Sequence, residues 1–154
     1  MLPEFSLNLH FLPVYALLLG QELIATYSIN EAQPGIFIFT DDSYAISWTP
    51  TDNPRVPFKN LSKPTDEELI AGFRSIVFNA GNYSYTDSTA VAIPIIAKVP
   101  GFEGGKQFYR YRIDGSILHL TMYDETYPDG EKPGWFGRYV TEFVMEKKKS
   151  KYLP

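Results

Sequence analysis

KQFYRYRIDGSILHLTMYD, residues 106–124, decides the fold. Two alternating runs meet at Asp114-Gly115, and an Asp-Gly pair between such runs is the strongest short-range hairpin signal. With Ile113 opposite Ser116, Tyr111 faces Leu118 and Tyr109 faces Leu120 on one side of the ribbon. Phe108, Arg110, Arg112, Ile117, His119 and Thr121 take the other side, because side chains alternate along a strand. One face is aromatic and aliphatic and the other mostly polar, which predicts a sheet wrapped around an apolar interior.

The same pattern recurs upstream. Gln33-Pro34-Gly35 reads as a turn into GIFIFTDDSYAISW, residues 35–48, folded on Asp41-Asp42. Thr40 opposite Ser43 stacks Phe39 on Tyr44 and Phe37 on Ile46, with Trp48 ending the same face. A strand over 21–29 precedes it, with Leu23, Ala25 and Tyr27 on one face. Strands over 82–86 and 89–97 join through Asp87-Ser88, and Pro94 argues for an edge, a bulge or an irregular position. The glycine-rich 99–105 leads into the hairpin of 106–124, and a last strand over 135–145 follows the loop 125–134. Residues 49–64 carry four prolines and no periodicity, so they form a loop. Thr65-Asp66-Glu67-Glu68 is a capping box whose acidic trio suits a helix N-terminus. Leu69, Ile70, Phe73, Ile76 and Val77 continue at helical spacing, and Asn79-Ala80-Gly81 reads as the stop. The expectation is a mainly β fold: an eight-stranded antiparallel up-and-down barrel with one amphipathic helix across its mouth or flank. A two-sheet sandwich is the alternative.

The 154 residues fit one domain over 21–146, with an N-terminal segment 1–20 and a basic tail 147–154. The apolar run 11–19 ending at Gly20 has the length of an export signal, yet Glu4 precedes it and no Lys or Arg does. Residues 1–20 therefore stand open between a signal remnant and a structured segment, and the compartment stays open with them. The run is too short for a membrane span. A net charge of −4 disfavours nucleic acid as a partner. With 0 cysteines there is no disulfide framework and no thiol site. His10 and His119 lie far apart and supply no metal set, and no cofactor motif is present: Gly101-Phe102-Glu103-Gly104-Gly105-Lys106 lacks phosphate-loop spacing and leads into a strand. Asp124, Glu125, Asp129 and Glu131 lack the order of a calcium loop and read as a solvated acidic loop.

The interior carries the functional reading. Phe37, Phe39, Tyr44, Trp48, Tyr109, Tyr111, Leu118 and Leu120 either fill a plain core or line a pocket in which tyrosine hydroxyls meet a ligand. Arg55 in the loop and Arg138 in the last strand are cations that could face an anionic group or make surface pairs.

The chain resembles the bacterial lipocalin-like domain proteins, small calycin-type barrels. The resemblance is carried by Gln33-Pro34-Gly35-Ile36-Phe37-Ile38-Phe39-Thr40 with Tyr44, Asp52-Asn53-Pro54-Arg55, Thr65-Asp66-Glu67 and Asn79-Ala80-Gly81-Asn82-Tyr83. It continues through Pro94-Ile95-Ile96-Ala97-Lys98, Pro100-Gly101-Phe102, Gly104-Gly105, Tyr109, Tyr111 and Asp114-Gly115. Glu22 stands where members of the family place a tryptophan that plugs the closed end, and the strand over 90–95 lacks the paired histidines of some relatives. The resemblance implies a barrel with a cavity and no established activity. The expected function is binding of a small apolar or aromatic molecule at Phe37, Phe39, Tyr44, Trp48, Arg55, Tyr109, Tyr111, Leu118 and Leu120. The alternatives are a cyclase, isomerase or hydratase using Tyr, Arg or a carboxylate, and an interaction module whose partner is a protein such as a second copy of this chain.

Overall fold

The computed structural model describes residues 35–51 and 53–146, and the backbone of three strands before them, β1 (Phe5–Asn8), β2 (Val14–Leu19) and β3 (Glu22–Ser28). The remaining elements are β4 (Gly35–Phe39), β5 (Ser43–Trp48), α1 (Asp66–Arg74), β6 (Val77–Tyr85), β7 (Thr89–Ala97), β8 (Lys106–Asp114), β9 (Ile117–Thr126) and β10 (Tyr139–Glu146). All strands belong to one antiparallel sheet of order β1-β4-β5-β6-β7-β8-β9-β10-β2-β3. Seven of them, β4 to β10, form an uninterrupted up-and-down meander.

The meander curls into a half-barrel. In a flat sheet, β4 and β10 would stand six strand spacings apart, about 29 Å at ~4.8 Å each. Here the rings of Phe37 on β4 and Phe143 on β10 lie 5.1 Å apart, and Trp48 on β5 meets Phe143 at 5.2 Å. The inward positions close on a common core of Phe37, Tyr44, Ile46, Trp48, Tyr83, Tyr109, Leu118, Leu120, Phe143 and Met145. Ala90, Ala92 and Gly81 supply the small residues that let these rings interdigitate.

The hairpin β4–β5 has the expected register, Phe39 on Tyr44 and Phe37 on Ile46. In β8–β9 the pairing is displaced by two residues: Asp114 lies opposite Ile117, Tyr111 opposite Leu120 and Tyr109 opposite Met122. Gly115, at φ 60°, takes the first central position of the turn, and Ser116 has no positive φ, the pattern of a II′ turn rather than one on Asp114-Gly115. A slip of two keeps every side chain on its expected face, where a slip of one would have inverted the sheet.

Other expectations need correction. The strand over 21–29 exists as β3, but it pairs with β2 rather than with β4, so the N-terminal strands flank the meander at both ends. Residues 5–8 and 14–19 are strands, which adds two to the eight expected. The helix stops at Arg74 with Ser75 as its cap, and Asn79-Ala80-Gly81 lies in β6. Its capping box is formed: Glu68 N–H donates to the Thr65 hydroxyl at 3.3 Å, and Thr65 N–H donates to Glu68 at 2.9 Å. None of its residues is buried, so it rides on the outside of the sheet. Lys98 anchors it, donating to the carbonyls of Phe73 at 2.9 Å and Ile76 at 2.6 Å, as a cation at a helix C-terminus should. The last strand begins at Tyr139 rather than Trp135, leaving Arg138 outside it and exposed. His10, the turn residues Gln33 and Pro34, and the basic tail lie outside the described residues.

Candidate functional site

Of the edge, bulge or irregular position expected at Pro94, the structure has a bulge, and it shapes the site. Gly81 pairs with Pro94 while Ala80 pairs with Ile96, so Ile95 is an extra residue in β7. β7 stays paired with β6 as far as Ala97, but its ladder to β8 ends at Ala92 opposite Gln107. Pro94 has no N–H to extend that ladder. β7 and β8 therefore splay apart, and the connection 98–105 closes over the gap through Gly104 N–H on the Pro94 carbonyl at 2.9 Å and Lys98 N–H on Phe78 at 2.8 Å. Glu103 accepts from Ala97 N–H at 3.3 Å and Gly101 N–H at 2.8 Å. Its own backbone N–H, then that of Gly101, hold its carboxyl below the ordinary carboxylate range.

Under this loop lies a cavity of about 360 Å³, open to solvent at the barrel end. Val77, Phe78, Ala97, Val99, Pro100, Phe102 and Tyr127 wall it, with Phe102 and Tyr127 meeting edge to face at 6.2 Å. Lys98 also lines it, but its ammonium is committed to the helix carbonyls. The volume falls within the ~300–1,000 Å³ usual for small-molecule sites.

Its floor is polar and separates it from the core. Tyr44 donates to Asn79 Oδ1 at 2.6 Å, Tyr109 donates to Gln107 Oε1 at 3.1 Å, and Gln107 Nε2 donates to Glu125 Oε2 at 2.9 Å. These bonds orient both amides, placing the Asn79 oxygen against Tyr44 and the Gln107 oxygen against Tyr109. Asn79 Nδ2 and Glu125 Oε1 then have no hydrogen-bond partner among the described residues, and neither is sealed from solvent. Asn79 is only 3 % exposed, so its free nitrogen opens onto the cavity it lines. Burial raises the Glu125 carboxyl above its ordinary value; the Gln107 amide opposes that and Asp124 adds to it.

That shift has a consequence for stability. The folded protein holds the Glu125 proton more tightly than the unfolded chain, so this group's contribution is complete below the ordinary value of 4.5 and is lost as pH rises through the raised one. Glu125→Gln keeps the Gln107 bond and removes the ionisation. Its melting temperature is expected to exceed the parent's at neutral and alkaline pH, with the gap closing below 4.5; a pH series of thermal melts checks this, and a constant gap would contradict it.

Of the sequence-predicted site residues, Phe37, Tyr44, Trp48, Tyr109, Leu118 and Leu120 are brought together in the core, with Phe39 and Tyr111 packed against it. The void they leave is about 10 Å³, room for roughly one water. Their hydroxyls find protein partners, Tyr44 and Tyr109 on the floor amides and Tyr111 on the Thr86 carbonyl at 2.5 Å, and the neighbouring core residue Tyr83 donates to the Thr40 carbonyl at 2.6 Å. Arg55 stands apart and exposed, donating to Ser75 Oγ at 2.9 Å. His119 sits on the outer face, its Nδ1 3.5 Å from Glu142. Asp124 is paired with Lys132 at 2.6 Å, and no group of three metal-type ligands occurs among the described residues.

Sequence reasoning missed Asn79, Gln107 and Glu125. Gln107 was within reach, because it shares the inward parity of Tyr109 and Tyr111. Glu125 was not: Phe108 pairs with Asp124 but Tyr109 with Met122, so Tyr123 is an extra residue and inverts the alternation after it. No helix among the described residues is long and apolar enough to cross a membrane. No protein-family model matches the chain, and no curated protein matches it either.

Proposed function

We propose that this half-barrel is lipocalin-like in use as in outline: a non-catalytic receptor that takes one small, largely aromatic molecule. The seat is the splayed β7–β8 end rather than the filled centre. The observation that carries the reading is the 360 Å³ cavity itself, walled mainly by apolar side chains over a polar floor, with the Lys98 ammonium committed to the helix carbonyls. That combination suits a ligand held by burial and oriented by a few hydrogen bonds. The acid–base enzyme is the second reading, favoured by one feature: Glu125 is a carboxyl in that cavity with a raised pKa.

Val99 lines the cavity and is 53 % exposed, so a larger side chain there can obstruct the site without entering the core. Native mass spectrometry of the protein incubated with naphthol, a neutral bicyclic probe, is expected to show a single-ligand adduct. Val99→Trp, with an unchanged melting temperature, is expected to lose it. An adduct that survives Val99→Trp, or none with the parent, would count against the cavity as the binding site.

A further inference from the structure

Resting on that reading, we infer that the cavity selects ligands carrying a cyclic amide edge, with an N–H placed on Glu125 Oε1 and a carbonyl placed on Asn79 Nδ2. The floor offers one unused acceptor and one unused donor, and the bonds made by the rest of each side chain fix which is which. With its oxygen turned to the cavity, Asn79 would present Nδ2 to Tyr44, and the buried Tyr44 hydroxyl would accept there and lose the acceptor it now holds at 2.6 Å. Reversing Gln107 would set its oxygen against the Glu125 carboxylate in place of the 2.9 Å donor and turn the Tyr109 hydroxyl from donor to acceptor. Because the polarity is held by buried neighbours, a ligand that presents an acceptor where the N–H belongs leaves the carboxylate facing a lone pair. A site built on fixed polar groups rejects such an analogue far more strongly than it rejects a small change of apolar shape. Phe78, Phe102 and Tyr127 provide ring surfaces for the flat remainder of the molecule.

Carbostyril and coumarin test this directly, since the bicyclic lactam and lactone have nearly the same shape and differ by N–H against ring oxygen. Isothermal titration of each into the intact protein near neutral pH is expected to show carbostyril binding at least about tenfold tighter. Glu125→Gln keeps the Gln107 contact through its oxygen and turns its NH₂ to the cavity, so the preference should vanish or reverse while coumarin binds no worse. Equal affinities for the two compounds in the parent protein, or a lactam preference that survives Glu125→Gln, would overturn the inference and leave the binding reading standing. Failure of both compounds to bind would overturn the inference together with the reading beneath it.

Discussion

Gly81→Ala is expected to prevent folding or to destabilise the protein by on the order of 3 kcal/mol or more. A Cβ at this position would lie 2.1 Å from the Ile93 carbonyl oxygen, 2.7 Å from Ile95 N and 2.8 Å from the Pro94 Cα. All three are backbone atoms of the neighbouring strand, so no rotamer change relieves the overlap. β6 would have to leave β7 at the bulge that opens the cavity. Circular dichroism melts of the variant check this, and a loss under about 1 kcal/mol would mean that the bulge is looser than described.

The second large effect is expected at the seam of the curl. Phe143 is 2 % exposed and is the ring on which Phe37 from β4 and Trp48 from β5 converge. Phe143→Ala should cost about 3–5 kcal/mol, from lost burial plus the cavity left among rings that cannot collapse. Val144, its neighbour on β10, points the other way and is half-buried, so Val144→Ala should cost much less. Chemical denaturation of the two variants side by side provides the comparison; similar losses would show that the sheet does not close on Phe143.

Much of the container was legible in the sequence because side-chain alternation is a local property. The inward parity of Phe37, Tyr44, Trp48, Tyr109 and Leu120 follows from two hairpins alone, and it survived a two-residue error in one register. The helix start was legible for the same reason, since Thr65 and Glu68 bond within one turn. Its end was not. Ile76 and Val77 keep an apolar pattern that suits a helix as well as a strand, and pairing of Val77 with Trp48 decides the matter from a distance. Where a cavity could form was less accessible still. Eleven tyrosines suggested hydroxyls awaiting a ligand, but those of the core bond to Asn79, Gln107 and backbone carbonyls, contacts reached only through folding. The cavity comes from two bulges that alternation cannot register, one at Ile95 and one at Tyr123.

The location of the ligand is the claim on which the functional account turns, and two-dimensional amide NMR during the naphthol titration reports it residue by residue. Saturable shifts should fall on 77–79, 97–102, Gln107, Glu125 and Tyr127 while the amides of Phe37, Leu118 and Phe143 stay in place. Shifts centred instead on Phe37, Leu118 and Phe143, with the 97–102 loop unmoved, would contradict it.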